Sequence, residues 1–251
     1  MTAPAACLMT DPKKGTVFLS VVIPAWNEEP RIGRTLAEIG AFLAAKPYAS
    51  EIILVDDGST DGTAEAARAG FTAGVPLRTI TLDRNHGKGY AVREGVLAST
   101  GEIALFCDAD LSTPIEELDR ALAALDAGAD VVIGSRALPE SRILVRQRRP
   151  REWMGKAFNL LVRLFVLEGF RDTQCGFKAF RAAAAKDIFS RLRTAGFGFD
   201  VEVLVLARAM GLRIAEIPVV WRDSRPSRVR IVRGSWGMLR DLRRIRRLPR
   251  P

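Results

Sequence analysis

The chain has 251 residues, 48% of them hydrophobic, and a formal net charge of +9. That is enough for one large α/β domain or two small ones with a full core, and it excludes a disordered or fibrous chain. The charge lies in two patches, since residues 225–251 hold ten arginines against one acid, residues 136–151 hold six against one, and the remainder is acidic. Such patches suit an anionic partner, whether phosphate, nucleic acid or an acidic membrane surface.

The opening MTAPAACLMTDPKKG has no charged region followed by an apolar core, so residues 1–16 are read as a flexible N-terminus and not as a signal peptide. VFLSVVI (17–23) predicts a strand and RIGRTLAEIGAFLAA (31–45) a helix. EIILV (51–55) is the next strand, and DGTAEAARAG is a helix with its start signal at Ser59–Asp61. LRTITL (77–82), EIALFC (102–107) and DVVIG (130–134) are further strands, with GYAVREGVLAST and IEELDRALAALDAG as the helices between them. Apolar runs without polar alternation imply strands buried on both faces, as in a doubly wound, mostly parallel sheet. After about residue 136 the regularity fades. RILVRQRRPR (142–151) reads as a solvated loop that orders on ligand binding. Two or three helices, one more strand at RIAEIPVVW (213–221) and a basic tail follow. The longest apolar stretch, FNLLVRLFVL (158–167), is about half a membrane span and contains Arg163. Cys7, Cys107 and Cys175 match no CxxC spacing and read as reduced structural thiols.

In such sheets ligands bind beyond the carboxyl ends of the strands. Each predicted strand there ends in a polar or glycine-rich cluster: PAWNE (24–28), DDGSTD (56–61), NHGKG (85–89), DADLSTP (108–114) and GSR (134–136). Any one is also a good turn sequence, but five on one edge point to a site. NHGKGYAV is not a dinucleotide fingerprint, because Val92 stands where the third glycine belongs, and no GxxxxGK[ST] loop is present. Asp108 and Asp110, two residues apart on extended chain, point to the same side. There they can share Mg²⁺ or Mn²⁺, whose shell is completed by water and by a diphosphate that the cation neutralises.

SVVIPAWNE, VDDGSTDGT, NHGKGYAVREG and CDADLSTP together resemble the nucleotide-sugar half of an inverting, family 2 GT-A glycosyltransferase. DVVIGSRALPES, REWMGKAFNLLVR, DTQCGFKAF and GFDVEVLVLARAMG resemble its polyprenyl-phosphate branch, the dolichyl-phosphate β-glucosyltransferases first and the mannose synthases next. The resemblance spans roughly residues 17–247. It implies a Rossmann-like α/β catalytic domain over 17–224, with a nucleotide-sugar half (17–135) and an acceptor half of helices (136–224), followed by a basic amphipathic tail (225–251). It implies that Pro24, Ala25, Asn27, Glu28 and Ala109 line the donor pocket. Asp56 and Asp57 would contact base and ribose, and Gly58 would allow close approach. Lys88 would lie at the donor diphosphate, and Asp108 and Asp110 would hold a divalent cation and act with Lys88 in catalysis. Ser112 stands where the mannose synthases carry a glutamine that helps bind metal. This departure favours the glucosyl branch.

A phosphate acceptor needs no base, because its second pKa is about 6 and it is largely dianionic at neutral pH. Positioning and charge stabilisation are then the whole task, and the planar fork of arginine suits it. Arg136, Arg151 and Lys178 are the candidates for the acceptor phosphate, Arg151 through the resemblance. With a hydroxyl acceptor, Asp200 would be the candidate base. His86, the only histidine, sits in the third strand's turn. In the tail, Trp236, Leu239, Leu242, Ile245 and Leu248 recur every three residues among arginines, a helical stripe suited to an anionic membrane surface or to packing on its own domain.

The expected activity is metal-dependent, inverting transfer of a hexose, glucose from UDP-glucose first, to a polyprenyl phosphate. GDP-mannose as donor, a hydroxyl acceptor, and a non-catalytic membrane or nucleic-acid binding protein remain as alternatives. The expected partners are the nucleotide-sugar donor, the polyprenyl or dolichyl phosphate, an anionic membrane surface and a separate membrane-anchoring protein. No nucleic acid is expected, since no aromatic platform accompanies the arginines. The expected location is the cytoplasmic face of a membrane, with peripheral attachment.

Overall fold

The computed structural model describes residues 16–71, 74–147, 149–224, 241–242 and 244–246. Its first five strands, β1 (Leu19–Ala25), β2 (Ser50–Asp56), β3 (Leu77–Thr81), β4 (Ile103–Cys107) and β5 (Val131–Ser135), alternate with the helices α1 (Glu29–Ala44), α2 (Thr63–Gly70), α3 (Lys88–Ala98) and α4 (Glu117–Asp126). The second half adds β6 (Arg142–Val145), α5 (Arg149–Phe165), β7 (Phe177–Arg181), α6 (Ala182–Arg191), α7 (Phe199–Ala209), β8 (Ile214–Pro218) and β9 (Val220–Arg222). Seven strands form one sheet in the order β3-β2-β1-β4-β7-β5-β8, parallel except for β7, and β6 pairs with β9 separately.

The two-sided burial expected of the strands is met in β1, β4 and β5, which are buried throughout, but not in β3, which is half-exposed. On one face, Ile32, Leu36, Ile39 and Leu43 of α1 recur at helical spacing and pack with α4 on Leu19, Val21 and Ile23. On the other face, Val22 and Phe106 meet α3, α6 and α7.

The chain beyond residue 136 departs from expectation in three places. The arginine segment at 142–151 is not a loop, for it holds β6 and the start of α5. The strand expected at 213–221 divides into β8 and β9. β7 was not expected at all, because its second residue is Lys178. That lysine is fully buried, and its ammonium lies 2.5 Å from Asp200 of α7. A charge inside a strand is tolerated when its partner is supplied from elsewhere.

In the tail, Leu242 and Ile245 are buried in the second core face. These two stripe residues pack on the chain's own domain and not on a membrane. Trp236, Leu239 and Leu248 lie outside the described residues, as do residues 1–15. No described helix is long and apolar enough to cross a membrane.

Candidate active site

All the carboxyl ends of the parallel strands lie on one sheet edge, and the antiparallel β7 brings its own lead-in, residues 172–176, to that edge between β4 and β5. The edge therefore runs from the turns after β3, β2 and β1, through Asp108 and Asp110 after β4, to Asp172–Gly176 and then Arg136 after β5. The five polar clusters expected to converge do so.

On the first side the turns are laced together. Asn27 sits in the left-handed region (φ 54°). It accepts the Thr60 amide on its side-chain oxygen at 2.8 Å, while its own amide donates to the Ser59 hydroxyl at 2.8 Å. The Glu28 amide donates to Thr63 Oγ1 at 2.8 Å. Asp56 accepts the Ser59 amide at 3.0 Å. Asp57 is buried, its amide donates to the Ala25 carbonyl, and its carboxylate accepts the amides of His86 and Gly87 at 2.8 and 2.9 Å. Burial pushes the Asp57 carboxyl up, and these amide bonds oppose the shift. Asp57 therefore braces the glycine turn, a role beyond the base or ribose contact expected of it. Gly58 allows close approach, but to the protein: at φ 65°, a Cβ there would stand 2.3 Å from the backbone of Arg84. Pro24 and Ala25 end β1, and the Ala109 carbonyl is tied to Thr35 Oγ1 at 2.6 Å. His86 pairs with Asp83 and stacks on Tyr90, as a turn residue would.

At the centre, the Lys88 ammonium lies 2.5 Å from Asp108 Oδ1 and above the rings of Phe106 and Phe199. Burial works against its charge, but the carboxylates of Asp108 and Asp200 outweigh it and hold the lysine above its usual range. Asp110 accepts the Ser112 amide at 2.9 Å. Burial and then the charge of Asp108 push its carboxyl up. Two hard-oxygen groups that repel one another on one strand end, with a single ammonium paired to the first, fit a divalent cation. Among the described residues no group of three His, Cys, Asp or Glu side chains could hold a metal. The Ser112 amide orients the Asp110 carboxylate.

Gly176 is a residue the sequence reading passed over. A Cβ there would stand 2.0 Å from Asp108 Oδ2, so the glycine makes room for the carboxylate. Its signal was present in DTQCGFK, a glycine just before an apolar run, but only the sheet order reveals what it faces.

On the far side, after β5, Arg136 is held by Asp172, with Nε at 2.6 Å and Nη2 at 3.0 Å from its two oxygens, and lies over Trp221. Burial would raise the Asp172 carboxyl, but the guanidinium holds it far below the usual range. Arg136 is about a quarter exposed and keeps Nη1 outside this fork. The adjoining Gln174 has a buried side-chain nitrogen without a hydrogen-bond partner. Arg151 lies in the first turn of α5. Lys178 must be withdrawn as an acceptor ligand: it has no exposure, and its ammonium is spent on Asp200 and the Cys175 carbonyl at 2.7 Å. Asp200 is likewise buried, and burial pushes its carboxyl up against the pull of Lys178 and Lys88. α5 carries an exposed apolar face with Trp153 (72% exposed), Met154, Leu160 and Leu161.

Comparison with known proteins shows the family and the fold. Residues 20–189 match the model of glycosyl transferase family 2. The dolichyl-phosphate beta-glucosyltransferase of Saccharomyces cerevisiae is 37% identical over 249 residues, which cover 92% of this chain and 74% of the yeast protein. The human protein of that name is 36% identical over 85% of this chain and 70% of its own. In three dimensions the chain is similar to glucosyl-3-phosphoglycerate synthase from Mycobacterium tuberculosis in complex with Mn²⁺, UDP and glucosyl-3-phosphoglycerate. The TM-score is 0.70 at 23% identity, over 94% of this chain and 82% of that one. The same enzyme with Mg²⁺ and UDP superposes with a TM-score of 0.69 at 23% identity, over 94% and 82% of the two chains. This likeness shows a shared GT-A fold.

Proposed function

The chain belongs to glycosyl transferase family 2, and on that premise we propose that it transfers glucose from UDP-glucose to a polyprenyl phosphate of the dolichyl type. The observation that carries this reading is the central pair: Asp108 and Asp110 on one strand end, with Lys88 2.5 Å from the first. A divalent cation held by Asp108 and Asp110 supplies charge neutralisation to the donor's diphosphate. Asn27, Glu28, Asp56 and the close of β1 shape the nucleotide end of the pocket. Lys88 stands where the leaving diphosphate gathers negative charge, and its raised pKa keeps it cationic.

The acceptor phosphate binds toward Arg136 and Arg151. It is already anionic, so no base is needed. One of its oxygens attacks the anomeric carbon from the face opposite the diphosphate. The new carbon–oxygen bond forms as the bond to UDP breaks, with inversion, and UDP carries the electron pair away. The buried state of Asp200, bound to Lys178, supports this base-free route over a hydroxyl acceptor. The exposed apolar face of α5 beside the arginine segment supports a lipid acceptor met at an anionic membrane surface. Peripheral attachment at the cytoplasmic face, aided by a separate membrane-anchoring protein, belongs to the same reading.

The test is transfer from radiolabelled UDP-glucose and, in parallel, GDP-mannose to polyprenyl phosphate in the presence of Mg²⁺ or Mn²⁺. Label entering the lipid phase from UDP-glucose alone is the expected result. Label only from GDP-mannose would overturn the sugar and retain the mechanism. Label in neither lipid product would overturn the acceptor.

A further inference from the structure

The glycine turn that presents Lys88 does not hold its shape alone. The amides of Gly89 and Tyr90 donate to the Ala195 carbonyl at 2.7 and 3.2 Å. A side chain at Gly87 would meet that carbonyl oxygen at 2.6 Å, and one at Gly89 would meet the Thr194 carbonyl oxygen at 2.4 Å. Gly87 itself has φ 106°, a conformation that costs more backbone entropy to fix than an ordinary residue would. The turn is thus moulded against residues 194–196 of the distant acceptor half.

That backing segment is itself held from behind. Glu202 is 1% exposed, and its carboxylate accepts the Arg193 amide at 3.0 Å, the Thr194 amide at 2.8 Å and the Thr194 hydroxyl. The Thr194 oxygen in turn accepts from Arg244 Nη2 at 2.6 Å, which also lies 3.5 Å from Glu202 Oε2. Donor, hydroxyl and carboxylate form a chain in which each bond polarises the next. Arg244 arrives between Leu242 and Ile245, both buried beneath it. Phe199, at the start of α7, meets the turn directly: its Cβ bounds Gly89, and Lys88 lies over its ring.

We infer that Arg244 and Glu202 are positioning residues, and that the short segment carrying Leu242, Arg244 and Ile245 straps the 193–202 segment against the glycine turn so that Lys88 is held at Asp108. Arg244 acts on the reaction only through that segment. The inference rests on the reading of Lys88 as the cation at the donor diphosphate, but its physical core does not require turnover to be observed.

The experiment is hydrogen exchange of the Gly89 and Tyr90 amides, read beside transfer kinetics, in the full chain with Arg244→Ala and Arg244→Lys. In Arg244→Ala these two amides should exchange about tenfold faster while the β1 amides keep their protection. The kcat for transfer should fall about tenfold, with KM for UDP-glucose moved by less than about threefold, because Lys88 acts on the leaving group. Arg244→Lys should recover part of both. Thr194→Val removes only the hydroxyl between Arg244 and Glu202 and serves if Arg244→Ala fails to fold. It should show the same local signature. Unchanged Gly89 and Tyr90 exchange would overturn the strap, and so would a uniform rise that includes β1. Faster local exchange in a chain with no transfer activity at all would keep the strap and overturn the functional reading.

Discussion

Along one sheet edge the molecule uses two different ways of holding a site. From β3 to β1 the strand ends are joined by side chains bonded to backbone amides of the neighbouring turn: Asp57 to 86 and 87, Asn27 to 60, Asp56 to 59. From β7 onward the molecule relies on ion pairs between side chains: Arg136 with Asp172, Lys178 with Asp200, Arg244 with Glu202. Bonds to backbone amides can be lost one at a time at small cost. Where a carboxylate is buried, losing its cationic partner strands a charge. Both kinds of contact bridge well-separated positions, 33 apart for Asn27 with Thr60 and 22 apart for Lys178 with Asp200. The strand ends from β3 to β1 are thus held by backbone donors and those from β7 onward by paired charges, and the glycine turn leans on both Asp57 and the Ala195 carbonyl.

This contrast can be broken most severely at β7. Lys178→Met leaves Asp200 buried without its cation and should cost about 3–5 kcal/mol, read by chemical denaturation. A loss below about 1 kcal/mol would show that the pair is not a structural necessity. Gly176→Ala sharpens the contrast from the other side. The added methyl meets a side-chain carboxylate and not backbone, so the melting temperature should barely move. The displaced Asp108 should nevertheless lower transfer about hundredfold.

Asp172→Asn weakens the fork on Arg136, and because Arg136 is partly open to solvent the cost should be about 2 kcal/mol. Its pH signature has a definite sign. The native Asp172 carboxyl binds its proton less readily than the unfolded one. Its contribution is therefore complete above about pH 4, the unfolded value, and is withdrawn as the pH falls below that. Stability profiles of the wild type and Asp172→Asn should accordingly converge on acidification. Constant separation down to pH 2 would contradict the assignment. The smallest effect belongs to the amide-laced half: Asn27→Ala removes the bond to Thr60 and leaves alanine in a left-handed conformation, for about 1–2 kcal/mol by thermal melting.

The same contrast explains what could be read from residues alone. The parallel frame and the five strand-end clusters were legible because each strand is a continuous apolar run and each cluster follows it directly. β7 was hidden because Lys178 looks like a surface residue until Asp200, 22 positions away, is placed beside it. For the same reason the sequence offered Lys178 as a phosphate ligand, when its charge is used inside the core. Gly58 was legible as a residue of close approach, but what it approaches is the backbone of Arg84, and only the fold shows Gly87 against the Ala195 carbonyl. The stripe in the tail was visible as apolar, yet periodicity does not say that Leu242 and Ile245 turn inward. The residues 142–151 read as a loop because arginines mask the short alternation of β6.

The central claim is that Asp108 and Asp110 form a divalent-cation site for a nucleoside diphosphate. It is tested most directly by calorimetric titration of UDP into the wild-type chain and Asp110→Ala, each with and without Mn²⁺. UDP binding should need Mn²⁺ in the wild type and weaken at least about a hundredfold in Asp110→Ala, with the fold intact by circular dichroism. Equal UDP affinity with and without the metal, or in the variant, would contradict it.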